Sequence, residues 1–173
     1  TPARNITKAG AARPTYNAAN ATYGGEPSVD SATTDKGLQA ATAADFAFMH
    51  NGTGVSVCMV AARTASAGFM VVVAPSNNGG TGPGYLEMWQ NSLTALRVLI
   101  LNAAAATVVD VNAPFTVTTP HIATFTHQTG DVGADAHLYI DRVQVATGNN
   151  AAAPSAAAPA TALSVGGFGT AGN

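Results

Sequence analysis

Residues 120–145, PHIATFTHQTGDVGADAHLYIDRVQV, limit the fold of this chain more than any other stretch. His121 to Thr126 alternates polar and apolar residues, a turn rich in Gly and Asp follows, and His137 to Asp141 alternates again. Val143 and Val145 resume the pattern after Arg142. Successive side chains of a strand point to opposite sides. Period-two alternation on both sides of a Gly/Asp turn therefore marks an antiparallel hairpin with one buried face.

The rest of the chain repeats this grammar. Strand signals occupy residues 54–63, 68–74, 84–90, 95–101, 108–111, 115–118, 121–127, 137–141, 142–146 and 162–165. Turn signals separate most of them, including Asn77-Asn78-Gly79-Gly80, Asn112-Ala113-Pro114 and Gly148-Asn149-Asn150. Many short strands joined by regular turns predict a sandwich or barrel. Shorter strands are expected at 28–30 and 36–40, and a helical turn, with a short strand as the alternative, at 43–49. Ala-rich 151–159 is interrupted by Pro154 and Pro159 and is expected to be a loop. Residues 1–25 lack a sustained period and are expected to form an irregular N-terminal arm held by Tyr16 and Tyr23, with the sandwich domain over 26–173. The expected core is Val55, Val57, Met59 (or Cys58 and Val60), Val71, Val73, Leu86, Met88, Val98, Ile100, Ile122, Phe125, Leu138, Ile140 and Val165.

Composition narrows the function. Charged residues make up 9% of 173, with a net charge of −2, so no basic face for nucleic acid is present. No basic amphipathic helix or long apolar span points to a membrane. An apolar content of 47% argues against disorder. With few charges for solubility, a chain of this kind is expected to live in an assembly, as a homo-oligomer. The single cysteine, Cys58, rules out an intrachain disulfide and is expected to be a buried hydrophobe on a core strand. A start at Thr1 rather than Met predicts a processed, trimmed or C-terminal piece.

Several short motifs resemble one family. Ile122-Ala123-Thr124-Phe125, then Tyr139-Ile140-Asp141, then Leu163-Ser164-Val165-Gly166-Gly167 are similar to the C-terminal half of concanavalin A-like, laminin-G-like lectin/glucanase domains. Arg13-Pro14-Thr15-Tyr16 and Gly25-Glu26-Pro27-Ser28-Val29 resemble the opening of such domains in phage structural proteins. The resemblance implies an all-β, two-sheet antiparallel jelly-roll sandwich. The family's Asp-Gly turn is replaced by Asp141-Arg142, which disfavours a strict two-residue type I′ turn.

Candidate sites are sparse. Glu87 has no carboxylate at 85 or 89, whereas retaining glycoside hydrolysis needs two about 5–5.5 Å apart. Tyr85, Glu87 and Trp89 share one face of a strand and form a candidate sugar-binding strip, with core or edge packing of Tyr85 and Trp89 around one satisfied carboxylate as the competing reading. Asp131 and Asp135 form a candidate Ca²⁺ pair on a loop, with a plain turn as the competing reading; no other cofactor is expected. His127 and His137 flank the hairpin turn and are expected to pair across it or be solvated rather than bind zinc; no Ser–His–Asp order is visible. The leading expectation is a non-enzymatic structural or adhesive component of a phage-like virion: a capsid decoration protein, head fibre or tail-associated module. Its partners would be capsid or tail proteins and host surface glycans. A secreted carbohydrate-binding module is the alternative, and a glycoside hydrolase the third reading.

Overall fold

A computed structural model describes residues 6–8, 15–30, 38–40, 54–62, 70–74, 85–92, 94–102, 104, 106–115, 119–128, 136–148, 152–153 and 163–165. Strands dominate them: β1 (Ile6–Lys8), β2 (Thr15–Asn17), β3 (Ser28–Asp30), β4 (Leu38–Ala40), β5 (Val55–Ala61), β6 (Met70–Ala74) and β7 (Tyr85–Ser92). The series continues with β8 (Ala95–Leu101), β9 (Thr107–Pro114), β10 (His121–His127), β11 (Ala136–Ile140), β12 (Val143–Thr147) and β13 (Ser164–Val165). A seven-stranded antiparallel sheet, ordered β1-β4-β13-β6-β7-β8-β9, packs on a four-stranded one, ordered β12-β11-β10-β5. The chain crosses between the sheets after β4, β5, β9 and β12, so the architecture is an all-β two-sheet sandwich.

The core lies between the inward positions of both sheets. Leu86 and Met88 of β7, Leu96, Val98 and Ile100 of β8, and Val109, Val111 and Ala113 of β9 meet Ala123 and Phe125 of β10, with Ala136 and Leu138 of β11. Phe125 is completely buried and the largest of these side chains. Val57, Met59 and Ile140 pack against the cluster while partly buried.

Two expected core residues are corrected. Ile122 is 41% exposed, because residues three apart on an unbroken strand cannot share a face, and Phe125 takes the inward one with Ala123. Val165 is 42% exposed on a two-residue strand between β4 and β6, outside the described core beneath β7, β8 and β9. Cys58 is also corrected. It is exposed, because Val55, Val57 and Met59 take the inward phase of β5. The Thr124 hydroxyl donates to its sulfur at 3.5 Å. The side chains of Val71 and Val73 and the segment 43–49 lie outside the described residues.

The turn expected at 112–114 is instead the end of β9, which stays paired with β8 through Ala95 and Pro114. Proline is tolerated there because β9 is an edge strand of this sheet and Pro114 ends it. The β8–β9 connection is organised by Asn102, whose Oδ1 accepts from the amides of Ala104 and Ala106, both at 3.0 Å. Gly54 sits at φ 112°, a conformation that favours glycine, immediately before β5.

Near the N-terminus, β2 and β3 pair around Asn20. Its Oδ1 accepts from the Thr22 amide at 2.9 Å and its Nδ2 donates to Ser28 Oγ at 2.7 Å. A 3-10 turn at Ala21–Tyr23 then aims the Tyr23 hydroxyl at the end of β5, where it accepts from the Ala62 amide at 2.8 Å. Tyr16 is 68% exposed.

Candidate functional site

Strand alternation places positions 85, 87 and 89 of β7 on the face opposite the buried Leu86 and Met88, the outer face of the large sheet. Register then supplies neighbours that a single-strand reading could not. Trp89 pairs with Arg97, which pairs with Asn112; Glu87 pairs with Leu99, which pairs with Asp110. Tyr85 pairs with Leu101. Asp110 and Asn112 are exposed, while Leu99 and Leu101 form a buried apolar floor on the same face.

Arg97 and Asp110 are diagonal neighbours and lock together. The guanidinium Nε donates to Oδ1 at 2.7 Å and its terminal nitrogen to Oδ2 at 2.6 Å, a bidentate fork. Both side chains are about one-third exposed, so the pair adds little stability, at most about 1 kcal/mol. Its effect is positional: the fork fixes the planar guanidinium of Arg97 beside Asp110, between β8 and β9. Glu87 and Asp110 flank Leu99 on either side of β8, two strand spacings or about 9–10 Å apart at the backbone. Asp110 thus stands in the register row of Glu87, with its own carboxylate held by Arg97.

A second cluster sits at the rim, where β10 begins and β11 turns into β12. Asp141 and Arg142 form a two-residue hairpin loop with φ of 50° and 72°, while Ile140 pairs with Val143. Positive φ at both central residues is the type I′ signature, so the expectation against that turn is corrected. Aspartate tolerates this region better than most residues, and contacts to β10 hold it there. The Asp141 amide donates to the Ile122 carbonyl at 2.8 Å, and its Oδ1 accepts from the Ile122 amide at 2.9 Å. Its Oδ2 lies 2.6 Å from His121 Nδ1. The far ring nitrogen, Nε2, is 3.0 Å from Thr119 Oγ1. Phe115 meets the imidazole edge-on, with ring centroids 5.3 Å apart. The hydrogen bond with His121, then that from the Ile122 amide, holds the Asp141 carboxyl below its ordinary 3.8.

The expected pairing of His127 with His137 is corrected. Thr126 is the partner of His137, and Ala136 that of His127. This one-residue offset sends the two imidazoles to opposite faces of the sheet. His127 is buried and stacks on Phe125 at 6.4 Å, whereas the buried Nδ1 of His137 has no hydrogen-bond partner among the described residues. Among the described residues no group of three His, Cys, Asp or Glu could hold a metal. Asp131 and Asp135 lie outside them.

Comparison with known proteins adds one informative likeness. No family model matches the chain, and no curated protein matches it. Among solved structures, the enzymatically active domain of bacteriophage CBA120 tailspike protein 2 is similar in fold, with a TM-score of 0.59 and 12% sequence identity. The match covers 98% of this chain and 26% of that one. The expectation of a non-enzymatic chain is corrected by this likeness, because the fold is shared with about a quarter of a domain described as enzymatically active. The sandwich gives no ground for excluding catalysis.

Proposed function

We propose that this chain is a glycan-engaging module of a phage-like tail structure, with the outer face of its large sheet as the sugar-contacting surface. The observation that carries the reading is the row structure of that face: Tyr85, Glu87 and Trp89 on β7 run alongside the Arg97–Asp110 fork. Aromatic positions suit the apolar faces of sugar rings, and a fixed guanidinium with carboxylates suits hydroxyl groups. The concanavalin A-like motifs and the fold shared with a tailspike domain support the placement on a virion, beside tail or capsid proteins.

Binding is tested by titrating bacterial surface polysaccharides against the wild type and Trp89→Ala. The variant should lose at least about tenfold in affinity, ~1.4 kcal/mol, with its circular dichroism unchanged. A virion placement predicts that the chain tracks stoichiometrically with purified particles in peptide mass spectrometry; appearance only in the soluble fraction contradicts it.

Hydrolysis at the same face is the second reading, favoured by Glu87 and Asp110 flanking Leu99. Reducing-end release from a bound polysaccharide should then fall about 10²- to 10⁴-fold in Glu87→Gln and in Asp110→Asn.

A further inference from the structure

We infer that Thr119, His121 and Asp141 form an acyl-transfer site that hydrolyses carboxylic esters, separate from the proposed sugar-contacting face. The basis is a continuous relay on one rim of the small sheet. Asp141 Oδ2 lies 2.6 Å from His121 Nδ1, and His121 Nε2 lies 3.0 Å from the Thr119 hydroxyl oxygen. A carboxylate only accepts hydrogen bonds, so in the neutral imidazole Nδ1 carries the proton and Nε2 accepts from Thr119. A hydroxyl, a base within reach of it and a third group orienting the base are the geometric signature of an activated nucleophile.

The ring is held on every relevant side. Phe115, itself buried, packs edge-on against the imidazole, and the His121 side chain is 19% exposed. Asp141 is fixed in turn by the hairpin and by the Ile122 amide. Thr119 is exposed as a residue, which suits an ester presented on the surface of a larger molecule.

The steps balance with water as the only co-reactant. Thr119 Oγ1 bonds to the ester carbonyl carbon as its proton passes to His121 Nε2. Collapse of the adduct breaks the bond to the alcohol oxygen, which leaves with that proton, and acyl-Thr119 remains. Water then adds to the acyl carbon and gives a proton to Nε2. The second collapse releases the carboxylic acid and returns the proton to Thr119. Asp141 orients the ring throughout and stays ionised.

The test uses p-nitrophenyl acetate with the whole chain, Thr119→Val and Thr119→Ser. Valine keeps the shape and removes the hydroxyl at an exposed position, so the fold survives. Serine keeps the hydroxyl and relieves crowding at the attacking carbon. Hydrolysis should fall about 10²- to 10⁴-fold in the valine variant and persist or rise in the serine variant. Acid-quenched peptide mapping should place the acetyl group on Thr119. Wild-type rates in Thr119→Val, no hydrolysis by the wild type, or acetylation elsewhere in place of Thr119 would each overturn the assignment.

Discussion

Asp141 joins a strained turn to the start of β10, and its carboxyl reports that link through acid sensitivity. The His121 hydrogen bond, the Ile122 amide and attraction to His121 lower its pKa from 3.8, against the opposing effect of desolvation. A carboxylate with a lowered folded pKa adds stability that is fully present above the unfolded value. That stability is lost as the pH falls through the folded one. Asn tolerates the same left-handed backbone but cannot ionise. Wild type should therefore be more resistant to urea than Asp141→Asn at pH 7, and the gap should close below about pH 4. A gap that stays constant with pH would contradict the link. In the core, Phe125→Ala should cost about 3–5 kcal/mol in the same unfolding assay, since the ring is fully buried between the two sheets.

Among the elements, the β11–β12 hairpin shows how local sequence and register divide the work. Its strands were legible from alternation, because one face of β11 meets the core at Ala136 and Leu138. The type of its turn was not, because Arg142 occupies a left-handed position where glycine is favoured, and the contacts of Asp141 with Ile122 that hold the turn arise only through register. Arg142→Gly should raise stability by about 0.5–1 kcal/mol, the relief of the left-handed strain less the added entropy of the unfolded chain. Tyr23 makes a second such link: its hydroxyl receives the Ala62 amide across 39 residues. Tyr23→Phe should cost about 0.5–1.5 kcal/mol and speed amide exchange at Ala62. Unchanged exchange would show that the link does not hold the strand end.

Across the whole molecule, the sandwich was readable because ten strand signals alternate or run apolar between turn residues. Position-by-position burial was less readable, since the phase of β5 and β10 is decided by which face meets the opposite sheet. The candidate surface divides the same way. Tyr85, Glu87 and Trp89 share a face by period alone, but Arg97 and Asp110 join them only through the registers of β7 with β8 and β8 with β9. Thr119, His121 and Asp141 were missed for the same reason. Two of them are adjacent only because β10 pairs with β11 in the register that sets Ala123 against Ile140. A sugar-contacting outer face is the central claim, and calorimetric titration of bacterial surface polysaccharides into wild type and Trp89→Ala tests it most directly. Saturable binding by the wild type, weakened at least about tenfold in a fully folded variant, is the predicted result. Binding that is equal in the two proteins, or absent from the wild type, would contradict it.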